Sequence, residues 1–189
     1  MKETINILGL SGSLRQQSAH TAVLHSVAEG LPETVRLSVH GLDTLPPYNE
    51  DHDGPNAPPA VIALRAAVAE ADGLLIGSPE YNHGMSGVLK NALDWLSRPH
   101  GHSVLTGRPV LTFTASPAFT GGARAHQQLN ETLWAIQAQL VVYPQIVIGS
   151  VASKIQDGRL VDEAVEKFLM GGIEKLIQIV LTNSSTQVR

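Results

Sequence analysis

The stretch TINILGLSGSLRQQSAHTAVLHSVAEG, residues 4–30, decides the fold of this chain. Its first part, residues 4–10, is an apolar run of the kind found in buried strands. Over residues 18–30 the apolar side chains recur at helical spacing, and Gly30 and Pro32 mark the end of that helix. The stretch therefore predicts a strand, a polar loop and a helix.

The rest of the chain repeats this alternation, which is typical of a parallel sheet with helices on both faces. Residues 34–40 alternate apolar and polar side chains, which indicates an edge strand. Residues 73–78 and 109–114 are almost wholly apolar, which indicates central strands. A fifth strand, residues 140–149, contains Pro144 and is therefore predicted at an edge. We predict an α/β fold with five parallel strands.

Further helices are predicted over residues 58–70, 85–96 and 160–181, the last of them relaxed at the glycine pair 171–172. Residues 41–59 are rich in proline, aspartate and asparagine, which predicts a loop. Because so long a loop is unusual in a compact domain, we expect it to form one wall of a site.

Composition restricts the class of protein. At 189 residues and 43% apolar content, the chain is long enough for one core, and we predict a single domain over residues 1–182 with a polar tail, 183–189, that frays. The net charge of −4 argues against nucleic acid or an anionic membrane as partner. The absence of cysteine excludes disulfides and favours the reducing cytoplasm.

No targeting or membrane segment is evident in the sequence. The first residues, 1–4, run directly into the first strand without an apolar leader. No apolar run approaches the roughly 18 to 20 residues that span a bilayer. A soluble cytoplasmic protein is the expectation.

The loop after the first strand gathers hydroxyl groups and one cation at the start of a helix: Ser11, Ser13, Arg15, Ser18 and Thr21. Backbone amides at a helix N-terminus attract anions, and hydroxyl and guanidinium donors strengthen that attraction. The loop lacks the glycine patterns of nucleoside triphosphate and dinucleotide sites, so it favours a terminal phosphate monoester. The alternative is a solvated turn in which Ser18 only caps the helix.

Two further loops follow central strands, SPEYNHGMSG (78–87) and ASPAFTGGARA (115–125). In a doubly wound sheet such loops meet at the carboxyl ends of the strands, where ligands bind. Pro79 stiffens the first of them, while Tyr81 and Asn82 offer a flat ring and an amide to a planar heterocycle. An ordinary proline turn with Tyr81 packed on the protein is the alternative.

Other chemistries have little support in the sequence. His100 and His102 form a pair without a third ligand, so no metal site is predicted. The loop serines are not in a G-x-S-x-G pattern, and no histidine–acid pair accompanies them, which argues against a hydrolase.

Four segments, GSLRQQS, LPPYNED, SPEYNHGMSGVLKNALDW and TASPAFTGGARA, resemble in order and spacing the NADPH-dependent FMN reductase family of flavodoxin-like proteins. The resemblance covers roughly residues 4–180. It implies a flavodoxin-like three-layer fold with strand order 2-1-3-4-5 and tightly bound FMN. It also implies ping-pong transfer of a hydride from NADPH or NADH to a small-molecule acceptor, such as a quinone, an azo compound, a flavin or a metal oxyanion.

The family's cofactor-binding residues map onto positions of this chain. The resemblance places the phosphate loop at Ser11, Ser13, Arg15 and Ser18, with assistance from Thr21. It places the isoalloxazine cradle at Pro79, Glu80, Tyr81 and Asn82, with its far edge at Ser116 and the turn 121–122.

Two positions depart from the family pattern. His20 stands where members usually have asparagine. An imidazole there can donate to the phosphate, but its charge is expected to titrate near neutral pH. The stretch around Phe119 is also atypical, and we expect Phe119 to shape the acceptor side.

The flavin would carry the chemistry, so no catalytic acid, base or nucleophile is assigned. We expect the amide of Asn82 to lie near N1 and O2 of the cofactor, where negative charge develops.

The predicted helix 85–96 carries a second apolar strip at Val88, Leu93 and Trp95. Either the strip is a symmetric subunit interface or the helix is deeply buried in the core. The resemblance favours a homodimer or homotetramer. Two other functions stay open, a flavodoxin-type electron carrier and a flavin-linked regulatory module; carriers are usually more acidic than this chain.

Overall fold

Ten strands and five helices follow one another in the described residues, 4–54 and 56–186, of the computed structural model. The strands are β1 (Ile5–Ser11), β2 (Val35–His40), β3 (Gly73–Ser78), β4 (Glu80–Tyr81), β5 (Gly84–Met85), β6 (Pro109–Ala115), β7 (Gln139–Leu140), β8 (Ile146–Ile148), β9 (Ile155–Gln156) and β10 (Arg159–Leu160). The helices are α1 (Ala19–Gly30), α2 (Pro59–Glu70), α3 (Gly87–Leu96), α4 (Ala123–Ala135) and α5 (Glu163–Thr186).

The main sheet is parallel and has the order β2-β1-β3-β6-β7, with β8 also paired to β6. This confirms the expected order, because β7 and β8 are the two halves of the predicted fifth strand. Pro144 lies in the gap between them, as expected for a residue without an amide hydrogen. The predicted edge position of residues 34–40 is also confirmed.

The central strand β3 distributes its side chains between two cores. Because successive side chains of a strand point to opposite faces, Leu74 and Ile76 join the cluster beneath α2, α3 and α4. Leu75 joins the cluster beneath α1 and α5, together with Phe113. Helices therefore cover both faces of the sheet, which confirms the flavodoxin-like three-layer fold.

The predicted helix 85–96 begins two residues late. Met85 belongs to a small antiparallel hairpin, in which β5 pairs with β4. Ser86 then caps α3, since its Oγ accepts a hydrogen bond from the Leu89 amide at 3.2 Å. The hairpin was missed because its strands are too short to produce an alternating pattern.

The last helix is displaced towards the C-terminus and is not interrupted at its glycines. Leu160 lies in the hairpin β9–β10, so α5 begins at Glu163. The glycines permit close packing: a Cβ at Gly171 would lie 2.6 Å from the Tyr143 hydroxyl, and one at Gly172 would lie 3.0 Å from Ile146 Cδ1. The prediction of a relaxed helix was therefore wrong.

The chain ends differ in part from the predicted organisation. Residues 183–186, which we expected in a frayed tail, form the last part of α5. The remaining tail residues, 187–189, and the expected leaderless start at residues 1–3 lie outside the described residues. Within the described ranges, no helix is both long and apolar enough to cross a bilayer.

The long loop, residues 41–59, packs on α3. Asn91 accepts from the Tyr48 amide at 2.7 Å and donates to the Pro46 carbonyl at 2.9 Å, and the Trp95 indole donates to the same carbonyl at 2.8 Å. Trp95 is fully buried against this loop and Val61 of α2. The apolar strip that suggested a subunit interface is thus largely covered by its own chain, and the core reading of α3 was the correct one.

Candidate functional site

The loops that follow β1, β3 and β6 meet at the carboxyl ends of the parallel strands. The Gly12 amide donates to the Gly77 carbonyl at 2.7 Å, which joins the first loop to the end of β3. A Cβ at Gly12 would lie 2.9 Å from the Ser86 Oγ, so only glycine permits this close approach. The predicted meeting of the loops is confirmed.

The hydroxyl groups of the first loop form one cluster around Ser11. Thr21 Oγ1 donates to Ser11 Oγ at 3.0 Å, and Ser18 Oγ lies 3.4 Å from the same atom. The Ser13 amide also contacts Ser11 Oγ, at 3.4 Å. Ser18 caps α1, because its Oγ accepts from the Thr21 amide at 3.2 Å. Ser18 thus caps the helix, as the alternative expected, but it is buried and shares the hydroxyl cluster and is not part of a solvated turn.

Arg15 lies at the exposed rim of this cluster. Its guanidinium has no ion pair with any residue in ranges 4–54 and 56–186. A cleft of about 690 Å³ opens beside it and is lined by Arg15, Ser18 and Thr21 together with Pro117 of the third loop. The first turn of α1 carries no acidic residue. The first turn of α1 therefore brings no carboxylate to these donors, although Asp157 lines the same cleft.

His20 lies apart from the hydroxyl cluster. Its side chain is only 4% exposed and stacks on Phe113, with ring centroids 5.9 Å apart. Desolvation lowers its pKa to about 4, and weak contacts with the backbone of Ser78 and Ala115 only partly oppose this shift. The expectation that His20 titrates near neutral pH is wrong, because burial keeps its ring neutral there.

The hairpin β4–β5 is attached to α4 by two side chains. Glu80 Oε2 accepts from the amides of Arg124 and Ala125 at 3.0 and 3.1 Å. Gln128 Oε1 accepts from the Met85 amide at 2.7 Å. A carboxylate at a helix N-terminus is favourable for both hydrogen bonding and the helix dipole. Glu80, predicted in the ring cradle, therefore connects the second loop to the third.

The backbone conformation of the hairpin turn accounts for the asparagine at position 82. Asn82 and His83 have φ values of 50° and 69°, which lie in the left-handed region where asparagine is better tolerated than most residues. His83 contacts the guanidinium of Arg124. Tyr81 is half exposed on this turn, so its ring is only partly packed on the protein. Pro79 is buried where the turn leaves β3.

The third loop brings Ser116 to the same edge. Its amide donates to the Ile148 carbonyl at 3.0 Å, and its Oγ accepts from the Ala118 amide at 3.2 Å. Gly122, with φ of 87°, is the N-cap of α4. A Cβ at that glycine would lie 3.2 Å from Thr114 and 3.3 Å from Glu80. The backbone of this turn therefore lies close to other segments of the protein.

The donor set fits a phosphate ester. The hydroxyls of Ser18 and Thr21 lie within 3.4 Å of Ser11 Oγ, next to a helix N-terminus. Nearby is the Arg15 guanidinium, which has no ion pair among the described residues. A phosphate monoester carries close to two negative charges and three acceptor oxygens, which such donors satisfy. In the part of the chain that the structure describes, no group of three or more His, Cys, Asp or Glu side chains is placed to hold a metal ion.

Sequence reasoning found the loops but missed the contacts between them. Gln128 and Arg124 received no role, since neither residue type is distinctive in an amphipathic helix. An asparagine before a turn is a hairpin signal when glycine follows it, but here His83 follows Asn82, so that signal was weak.

Comparison with known proteins gives concordant matches. The profile of the NADPH-dependent FMN reductase family matches residues 5–153. The NAD(P)H-dependent FMN reductase of Pseudomonas aeruginosa is 35% identical over 177 residues, which cover 93% of this chain and 95% of the relative. A 2-hydroxy-1,4-benzoquinone reductase from Burkholderia sp. is 36% identical over 172 residues, covering 90% of this chain and 93% of the relative.

A solved structure is also similar over nearly its whole length. It is FerB, a flavoenzyme NAD(P)H:(acceptor) oxidoreductase from Paracoccus denitrificans, with a TM-score of 0.81 and 29% identity. The similarity covers 95% of this chain and 98% of the other.

Proposed function

The chain belongs to the NADPH-dependent FMN reductase family and is an FMN-dependent NAD(P)H oxidoreductase, and we propose that it reduces quinones and related acceptors by a ping-pong mechanism. In such a mechanism NAD(P)H and the acceptor use the same site in turn. Bound FMN supplies the hydride-transfer chemistry. Azo compounds, free flavins and metal oxyanions are further candidate acceptors.

The hydroxyl cluster is the observation that carries this proposal. We assign the phosphate of FMN to Ser11, Ser13, Ser18 and Thr21, with Arg15 neutralising its charge. Support comes from the close hydroxyls, from the helix N-terminus they surround and from the absence of a carboxylate in the first turn of α1. His20 is proposed to support the loop from below as a neutral ring.

The ring of FMN is assigned to the second and third loops. Pro79, Tyr81, Asn82 and Ser116 are proposed to hold it, and the Asn82 amide to donate to its pyrimidine side. Glu80 is proposed to support the ring site without contacting FMN, by keeping the hairpin attached to α4. No side chain of this site is assigned as a proton donor.

The organisation of the protein is proposed on narrower grounds. We propose one FMN-binding domain over residues 1–182. We also propose that the protein is a homodimer or homotetramer; this rests on the family resemblance alone, because α3 buries its second apolar strip within the chain. A cytoplasmic location is supported by the absence of cysteine. Light scattering at micromolar concentration tests the oligomer, and a monomeric mass would contradict it.

Spectroscopy of the purified protein tests the proposal directly. The protein is expected to be yellow, or to become so with added FMN. NADPH should bleach the flavin bands rapidly, and a quinone should restore them over repeated cycles. A flavodoxin-type carrier would bind FMN but show slow bleaching and little turnover. A colourless protein that takes up no FMN would refute both functions.

A further inference from the structure

Phe119 is held on a loop whose backbone is fixed by hydrogen bonds. The Ala118 carbonyl accepts from the amides of Gly121 and Ser150, both at 3.2 Å. Flanking residue Ser116 is held through both its amide and its carbonyl, which accepts from the Val151 amide at 3.1 Å. A Cβ at Gly149 would overlap the Phe119 carbonyl oxygen, so the loop lies directly on the segment after β8.

The side chain of Phe119 is nevertheless 88% exposed, more than any other aromatic in the described ranges. A mobile loop could fold such a ring against the protein, but this backbone is fixed and presents the ring to solvent. Leaving so much apolar surface in water forgoes the free energy that burial would provide. A ring presented in this way is available for stacking contact with a bound molecule.

The position of Phe119 relates it to the cofactor site. Its loop leads through Gly122 into α4, whose first amides hold Glu80. Tyr81, the next residue after Glu80, is also half exposed. The hairpin and the third loop thus each carry an exposed aromatic ring, and Pro117, two residues before Phe119, lines the cleft beside Arg15.

We propose that Phe119 is a specificity-determining residue that packs on planar aromatic electron acceptors, quinones in particular. This inference rests on the proposed function. In the overall reaction a quinone takes up the hydride of NADPH and one proton from water to become a hydroquinone, and NADPH becomes NADP⁺. Phe119 takes no part in this transfer: it increases the affinity for acceptors with a flat apolar face and leaves small hydrophilic acceptors unaffected.

The experiment compares two acceptors in the FMN-loaded enzyme. Phe119→Ala should lower kcat/KM for 1,4-naphthoquinone about tenfold, mainly through KM, because an aromatic contact of this kind is lost. The kcat/KM of Phe119→Ala for ferricyanide, which cannot stack on a ring, should stay within about twofold of the wild-type value. The FMN dissociation constant should also stay within about twofold of wild type. The control Trp134→Ala removes another exposed aromatic, 74% exposed near the far end of α4, and should change neither acceptor.

A binding measurement separates affinity from turnover. The oxidised holoenzyme is titrated calorimetrically with 2-naphthol, a planar aromatic that it cannot reduce. The dissociation constant should rise about tenfold in Phe119→Ala and be unchanged in Trp134→Ala.

Three results would overturn the inference. They are wild-type behaviour of Phe119→Ala with naphthoquinone, an equal fall for both acceptors, and a change of mass by light scattering with unchanged acceptor kinetics. The last would indicate that Phe119 contacts a second chain. Failure of the wild-type protein to bind FMN would instead refute the proposed function, and that titration is performed first.

Discussion

The first loop and the hairpin that follows β3 lie side by side, yet they use their polar side chains in opposite ways. In the first loop, the hydroxyls of Ser11, Ser18 and Thr21 bond to one another and to backbone groups of the same loop and the first turn of α1. Arg15 has no ion-pair partner among the described side chains. In the hairpin region, Glu80 and Gln128 are already bonded to backbone amides of α4 and β5.

This difference separates ligand binding from folding. Bonds between two hydroxyls, such as those of Ser11 with Ser18 and Thr21, can be exchanged for bonds to a phosphate at little cost. Groups that satisfy buried backbone amides cannot be withdrawn without leaving those amides unpaired. Changes in the first loop should therefore affect FMN affinity, and changes in the hairpin should affect stability.

The largest effect is expected for Ser18→Asp. Aspartate caps a helix as well as serine does, so the apoprotein should keep its melting temperature. Its carboxylate would face the phosphate, and the FMN dissociation constant should rise by about 100-fold or more, a change of roughly 2.7 kcal/mol.

Fluorescence titration with FMN and with riboflavin measures this effect. Riboflavin lacks the phosphate, so its affinity should change far less. Ser18→Asn, which keeps the cap without a charge, is the matched control. Tight FMN binding by Ser18→Asp would place the phosphate elsewhere.

The next effect concerns His20, which lies beneath the site. Its pKa is about 4 in the folded protein against 6.5 in the unfolded chain, so between these values the unfolded state binds an additional proton. The folded protein is therefore most stable, as far as His20 is concerned, above pH 6.5, and it loses this stability as the pH falls towards 4. The free energy of unfolding should decrease by about 1 kcal/mol for each pH unit in that window.

Urea unfolding of the apoprotein at several pH values, compared with His20→Asn, isolates this contribution. The pKa of buried His126 is also lowered, chiefly by desolvation, but His126 is present in both proteins and cancels. Parallel stability curves for the two proteins would show that His20 is not held neutral by burial. FMN affinity should not vary with His20 charge between pH 6 and 8.

A smaller effect is expected for Glu80→Gln. The neutral amide keeps one acceptor but loses the charge that favours the N-terminus of α4, so unfolding should become easier by about 1 kcal/mol. FMN affinity should change by less than about threefold. Thermal unfolding and FMN titration give the two values, with Glu131→Gln, an exposed change further along α4, as control. A large loss of FMN affinity without loss of stability would show that Glu80 contacts the FMN ring directly.

The smallest effect distinguishes the two roles of Asn82. Alanine is strained at a φ of 50°, whereas glycine is not, so Asn82→Ala should be less stable than Asn82→Gly by up to about 1 kcal/mol. Both variants lack the amide and should bind FMN roughly threefold to tenfold more weakly. Unchanged FMN affinity and turnover in Asn82→Gly would refute the proposed contact with the ring.

The sequence predicted those elements that depend on local patterns, and it missed those that depend on contacts between residues far apart in the chain. The buried strands β3 and β6 and the edge strand β2 were predicted because their patterns depend on burial, which hydropathy records. The hairpin β4–β5 and the start of α3 were not, because they depend on contacts such as that of Gln128 with Met85, which are 43 residues apart.

The site was predicted in the same uneven way. Local chemistry identified the hydroxyl loop, since its donors are adjacent in the sequence. The neutral state of His20 could not be inferred from its neighbours in sequence, because it results from burial against Phe113, a residue of β6. The sequence left the surroundings of Trp95 open for a similar reason, because the loop that covers it is far away along the chain.

The interruption at Pro144 has one further consequence. A long, unbroken outer strand would offer a row of free amides onto which a neighbouring molecule's sheet could extend. Here the outermost pieces are only two and three residues long, and an amide-less residue lies between them. The molecule therefore presents no template for fibrous growth on that side, despite the almost fully exposed Val142 beside the gap.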